Sequence, residues 1–185
     1  MRAGVESLLR LIESRDDDEA SYAISELGML VEWSARGRGD MKLYRSMIRP
    51  SLKRRRLTES EQKEIIDRLV PLIGQKRHSH SLASIFSSVS PHVAIVPLLE
   101  IMASRWSEMD DATKHQCLVA IEYNMLYAQN GQPDRRLLKV FRHCNPRDKV
   151  AAAARSRNWM VKKIAKEVLP ALDQYLRNRS LKADM

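Results

Sequence analysis

The chain has 185 residues, 44% of them hydrophobic, and 32 Lys and Arg against 23 Asp and Glu give it a net charge of +9. That apolar fraction excludes a disordered chain, and only 6 Gly and 7 Pro leave long stretches without breakers, so helix is the expected state throughout. A chain of this size buries roughly 70% of its unfolded surface, and a single domain over 1–185 is expected.

The N-terminal stretch MRAGVESLLRLIESRDDDEA has no long apolar run and soon turns acidic, so no signal peptide is expected. Residues 5–18, VESLLRLIESRDDD, read as an amphipathic helix ending in an acidic turn, and EASYAISELG at 19–28 opens a second helix behind it. Asp16 to Asp18 are natural caps and first-turn carboxylates for that second helix. Residues 35–57 read as an insertion with one short helix around Met41 to Ile48, stopped by Pro50. Thr58 and Glu61 then stand at capping-box spacing before an apolar stripe of Ile65, Ile66, Leu69, Leu72 and Ile73. A following helix can carry Leu82, Ile85, Phe86 and Val89.

The longest nearly apolar run, VAIVPLLEIMA at 93–103, contains Glu100 and is well short of the roughly 20 residues that span a bilayer. It belongs to a helix over HVAIVPLLEIMASRWSEMDD (92–111), which again ends in acids, Asp110 and Asp111, before TKHQCLVAIE at 113–122. NGQPD at 130–134 is a break, with Pro133 suited to a first helical turn. RRLLKVFRHC and NPRDKVAAAARS read as two short helices, and a long one runs from about Asn158 to Asn178 with a bend at Pro170; residues 179–185 read as a frayed tail. Nine to ten helices and no strand are expected.

Three of these stretches align. Each places a small residue four positions before a large aliphatic one: Ala23 and Leu27, Cys117 and Ile121, Ala165 and Leu169. That spacing keeps both on one helical face, where the small residue admits a neighbouring helix and the large one fills the groove beyond. Here the residues resemble the HEAT-like family of α-helical repeats, whose second helix follows Asp and reads V-R-x-x-A-x-x-A-L. VKKIAKEVL matches at Val161, Lys162, Ala165, Val168 and Leu169; TKHQCLVAI matches at Lys114, Ala120 and Ile121 with Cys117 in place of Ala. EASYAISEL keeps Ala23 and Leu27 but has Glu19 and Ala20 where the family has an aliphatic and an Arg. Pro97 inside a first helix also looks like the family. The anchors lie 117 − 23 = 94 and 165 − 117 = 48 residues apart, so a divergent repeat over 58–89 is expected between the first two. The resemblance implies an all-α, right-handed α-solenoid of antiparallel helical hairpins; a compact irregular helical bundle is the alternative.

Charge is distributed in blocks: 3 basic against 8 acidic residues in 1–35, 13 against 5 in 36–80, 2 against 5 in 81–130, and 14 against 5 in 131–185. In the first basic block Arg36, Arg38, Lys42, Arg45, Arg49, Lys53, Arg54, Arg55 and Arg56 face a single acid, Asp40, and Tyr44 lies among them. Such density can neutralise phosphates or dock an acidic protein face, or it can be a solvated loop; a nuclear-import signal is a lesser reading. In the second block Lys162, Lys163 and Lys166 fall outside the stripe of Val161, Ile164, Ala165 and Val168, as a binding face or as solubilising charge. Trp33, Trp106 and Trp159 are expected to pack rather than to stack on bases.

His78 with His80, His115 with Cys117, and His143 with Cys144 complete no zinc-type spacing, so no metal or cofactor is expected. There is no Gly-rich phosphate loop, no G-x-S-x-G and no H-E-x-x-H, and the Asp clusters are explained by capping. The expectation is a soluble, cytoplasmic, non-enzymatic binding or adaptor module that docks an acidic macromolecule, with no membrane and no small-molecule substrate. A protein partner is taken first because HEAT-like repeats serve mainly protein recognition. A nucleic-acid-binding accessory subunit is the alternative, supported by a pI near 9.8. Remoter readings are a toxin-neutralising immunity protein and, from the family, a HEAT-like DNA glycosylase, whose catalytic aspartate and aromatic residues match no motif here.

Overall fold

The computed structural model describes residues 2–36, 42–74, 77–129 and 135–177, without the side chains of 36, 42–44, 126–129, 135 and 137. Arg38, Asp40, the 130–134 break with Pro133, and the tail at 179–185 lie outside the described residues, as do the side chains of Arg36, Lys42 and Tyr44. Among the described residues the chain is all-α, with ten helices and a 3-10 turn at Val70–Leu72: α1 Ala3–Ile12, α2 Asp17–Arg36, α3 Lys42–Met47, α4 Glu59–Leu69, α5 Ser79–Ile85, α6 Pro91–Arg105, α7 Asp111–Gln129, α8 Arg135–Cys144, α9 Arg147–Ala153 and α10 Trp159–Arg177. None of them is long and apolar enough to cross a membrane.

Local chemistry sets the helix ends. Asp16 Oδ1 accepts from the backbone N–H groups of Asp18 (2.9 Å) and Glu19 (3.0 Å), and Asp110 Oδ1 accepts from that of Thr113 (2.6 Å). Both acidic turns therefore cap helices, satisfying donors that the first turn leaves without intrahelical partners. Thr58 and Glu61 form a reciprocal capping box at the start of α4. Pro91 occupies the first turn of α6, where its missing N–H costs nothing. Pro97 lies inside α6 and Pro170 inside α10, neither of which ends there.

α1 buries Val5, Leu8, Leu9 and Ile12 against α2, the i, i+3, i+4, i+7 pattern of a one-faced helix. α6 buries Val93, Ala94, Ile95, Leu98, Leu99, Ile101 and Met102, nearly all round, as its position between α4, α7 and α8 requires. α7 packs against both α5 and α10, and α5 also contacts α2, so the contacts run through α2, α5, α7 and α10 in that order. α1 pairs with α2, α6 with α7, and α9 with α10. The aligned small residues Ala23, Cys117 and Ala165 and the large residues Leu27 and Ile121 are all buried; Leu169 is half-buried against the same core.

α5 is shorter than its apolar pattern predicts, because the chain tightens after Ile85. Phe86, Ser87 and Ser88 donate their N–H groups three residues back, to Ala83, Ser84 and Ile85. The hydroxyls of Ser84 and Ser87 donate to the carbonyls of Ser81 and Ser84 (both 2.7 Å), offering the backbone local partners that compete with a continued helix. Phe86 and Val89 are buried nonetheless.

The chain from Ile48 to Leu57 is anchored rather than solvated. Ile48, Leu52 and Leu57 are buried in the common core, and the Leu57 N–H donates to Ser34 Oγ at 2.9 Å. The Leu52 side chain lies so close to α1 that a Cβ on Gly4 would stand 2.6 Å from it. Glycine there admits the close approach.

Candidate functional site: two basic surfaces

The first basic block is sorted by two carboxylates. Glu26, on the buried face of α2 and 1% exposed, accepts from Arg49 through the backbone N–H (3.0 Å) and through Nε to both oxygens (2.9 and 2.7 Å). That bonding raises the Arg49 guanidinium above its ordinary value against the opposing effect of burial. Glu61 takes Arg55 in a two-pronged contact, with Nη1 at 2.8 Å and Nη2 at 2.9 Å, and accepts from Arg2 Nε at 3.1 Å. Arg2 Nη1 also reaches the carbonyls of Leu52 (3.1 Å) and Arg55 (2.9 Å), tying the basic run to the start of α1.

Trp33 is buried to 8% exposure, and the guanidinium groups of Arg45 and Arg56 stand over its ring at 6.0 and 5.8 Å from the centroid, within cation–π range. Arg45, Arg54 and Arg56 are exposed; Lys53 is half-buried and donates to the Arg45 carbonyl at 3.3 Å. The run Lys53–Arg56 thus divides: Arg55 pairs with Glu61, Arg56 lies with Arg45 over Trp33, and Arg54 is exposed.

Lys162, Lys163 and Lys166 are all exposed on α10, clear of the face that α10 buries, as the sequence pattern predicts. The structure separates them from the first block. They belong to α10, which reaches α2 only through α7 and α5 in the order of the main helix contacts. The described candidates therefore fall on two parts of the fold, the chain from α3 to α4 and the exposed face of α10.

Three features escape sequence reading, each with a signal that points to it. Glu26 lies three positions after Ala23, inside the apolar stripe of α2, and a carboxylate there needs a buried partner. Arg2 has no helical pattern to reveal its role. Trp159 is a correction: it is 69% exposed, whereas Trp33 is buried and Trp106 half-buried. At the first position of α10 it points away from the Val161, Ile164, Ala165, Val168 stripe, so packing offers it no cover.

Among the described residues, no group of three or more His, Cys, Asp or Glu side chains is arranged to hold a metal ion. Cys117 is buried and Cys144 exposed, both as free thiols. Comparison of the chain with protein families, with curated proteins and with solved structures finds no match.

Proposed function

We propose that this chain is a non-enzymatic helical-repeat adaptor, a right-handed solenoid of HEAT-like hairpins, that docks an acidic protein partner on the cationic surface above Trp33. The repeat reading is supported by the aligned small and large residues of α2, α7 and α10, buried except for the half-buried Leu169, on helices that follow one another through α5. A first helix pairs with a second in α1–α2, α6–α7 and α9–α10, the organisation that lets a solenoid present one continuous surface.

The observation that carries the docking surface is the placement of Arg45 and Arg56 over Trp33, flanked by the exposed Arg54. Glu26 and Glu61 hold the backbone of this segment through Arg49 and Arg55, so the outward cations sit on an anchored frame and lose less freedom when a carboxylate arrives. Guanidinium groups suit bidentate contact with Asp and Glu side chains. Arg36, Arg38, Lys42 and Tyr44 are proposed for the same partner on their charge and their place in the sequence.

The test is affinity capture by the full chain, with bound proteins identified by mass spectrometry, for wild type and for the double variant Arg45→Glu with Arg54→Glu. An acidic protein recovered by wild type and lost by the variant supports the reading. Equal recovery by both, with the variant folded, overturns it.

A further inference from the structure

We infer that the exposed face of α10 is a second binding surface, for single-stranded nucleic acid, with Trp159 as its stacking platform and Lys162, Lys163 and Lys166 as its phosphate contacts. It shares no residue with the surface above Trp33 and stands or falls independently of that reading.

At 3.6 residues per turn, Trp159, Lys162, Lys163 and Lys166 fall within a sector of about 100° and along about 10 Å of helix axis. The opposite side of α10 carries Val161, Ile164, Ala165, Val168, Leu172 and Tyr175, all buried. The four side chains therefore share one outward face. None of the three lysines forms an ion pair among the described residues. Arg155 and Arg157, in the turn before α10, are also exposed. Burial, followed by the charge of Glu167, holds the Glu122 carboxyl of α7 above its usual range.

Trp159 is held on a fixed backbone. Asn158 Oδ1 accepts from the N–H groups of Met160 (3.0 Å) and Val161 (3.2 Å), and the Asn158 N–H donates to Ser156 Oγ at 3.1 Å. An indole that is 69% exposed while the other two tryptophans pack against the core has no structural use for its apolar area. Every base has a π-face, so an aromatic ring among cations binds single strands with little regard to sequence, the bases stacking while the ammonium groups follow the phosphates.

Charge complementarity selects a polyanion, and the exposed ring selects one with flat apolar faces. A lipid surface fits poorly, because an interfacial helix needs a continuous apolar face and α10 spends its own on the core. A duplex fits poorly as well, since its bases are already stacked on one another.

The experiment is fluorescence anisotropy with a labelled oligothymidylate of about 20 nucleotides, the matching duplex, and polyglutamate as competitor, over a range of salt. Wild type should bind the single strand more tightly than the duplex. Trp159→Ala should weaken single-strand binding at least about fivefold while leaving its salt dependence unchanged. The triple change of Lys162, Lys163 and Lys166 to Ala should weaken it further and reduce the slope of log affinity against log salt by about 2. Trp159→Phe should restore part of the loss. The changed residues are all exposed, and circular dichroism confirms that each variant is folded. Absence of binding at low salt, equal affinity for both nucleic acids, an unaffected Trp159→Ala variant, or full displacement by polyglutamate at matched charge each overturns the assignment. Arg45→Glu with Arg54→Glu should leave this binding within about twofold, which separates its failure from failure of the protein-docking surface.

Discussion

The buried carboxylate of Glu26 holds Arg49 by both its backbone N–H and its side chain, joining the middle of α2 to the chain 23 residues later. The two partners are unequal: the Glu26 side chain is 1% exposed, that of Arg49 43%. Losing the arginine strands a charge in the core, whereas losing the carboxylate leaves a guanidinium that water still reaches. Arg49→Met is therefore expected to cost about 3 kcal/mol, and Glu26→Gln, which keeps an acceptor for the Arg49 N–H, about 1 kcal/mol. The double variant should be more stable than the sum of the two losses predicts. Urea unfolding of the four proteins measures this coupling; strict additivity would show that the pair does not anchor the basic segment.

Acid should weaken the same corner. Partial burial pushes the Glu61 carboxyl up, but hydrogen bonds from Arg55, the Thr58 backbone and Arg2 outweigh it and hold the group at about 2 against an ordinary value of 4.5. A carboxyl lowered on folding contributes stability that is fully present above about 4.5 and lost as pH falls toward about 2. Thermal melting from pH 7 to pH 2 should show this decline, and Glu61→Gln should flatten it while lowering neutral-pH stability by about 1–2 kcal/mol. Some acid sensitivity remains in that variant, because the Thr113 N–H lowers Asp110 and the Arg147 hydrogen bond lowers Asp173.

The tryptophans should behave oppositely on truncation. Trp33→Ala removes a buried ring beneath Arg45 and Arg56 and is expected to cost about 3 kcal/mol or more. Trp159→Ala removes an exposed one and should change stability by no more than about 0.5 kcal/mol. Acrylamide quenching of intrinsic fluorescence gives an independent check, since the most accessible component should vanish with Trp159.

Thiol chemistry provides a probe that needs no mutation. Burial pushes the Cys117 thiol up to about 12, leaving almost no thiolate at neutral pH. Cys144 is exposed, although partial burial of its sulfur and then the charge of Glu100 raise it as well. A disulfide-exchange reagent should therefore label one thiol per chain in the folded protein and the second only on unfolding. Two equally fast thiols would contradict the packing of Cys117 against its neighbours.

Much of the helical plan is legible from local chemistry. Thr58 with Glu61, Asp16 and Asp110 announce helix starts because a cap acts on backbone groups two or three residues away. The small and large pairs on α2, α7 and α10 announce buried faces because a four-residue spacing repeats one side of a helix. The length of α5 is not legible in the same way: its apolar pattern runs on through Phe86 and Val89, and the serine hydroxyls that divert its backbone act without disturbing that pattern.

The direction in which each cation points belongs to another order of information. Sequence alone determined the helical composition, the caps, the basic blocks and the apolar stripes, all of which depend on neighbours within one or two turns. Only the tertiary structure decided that Arg49 and Arg55 pair with Glu26 and Glu61 while Arg45 and Arg56 lie over Trp33, and that Trp159 stands uncovered. Those outcomes depend on carboxylates and helices far along the chain: Glu26 is 23 residues from Arg49, and α5 and α7 separate α2 from α10. Charge count is additive along a sequence, but the use of a charge is set by what the fold brings within about 3 Å of it.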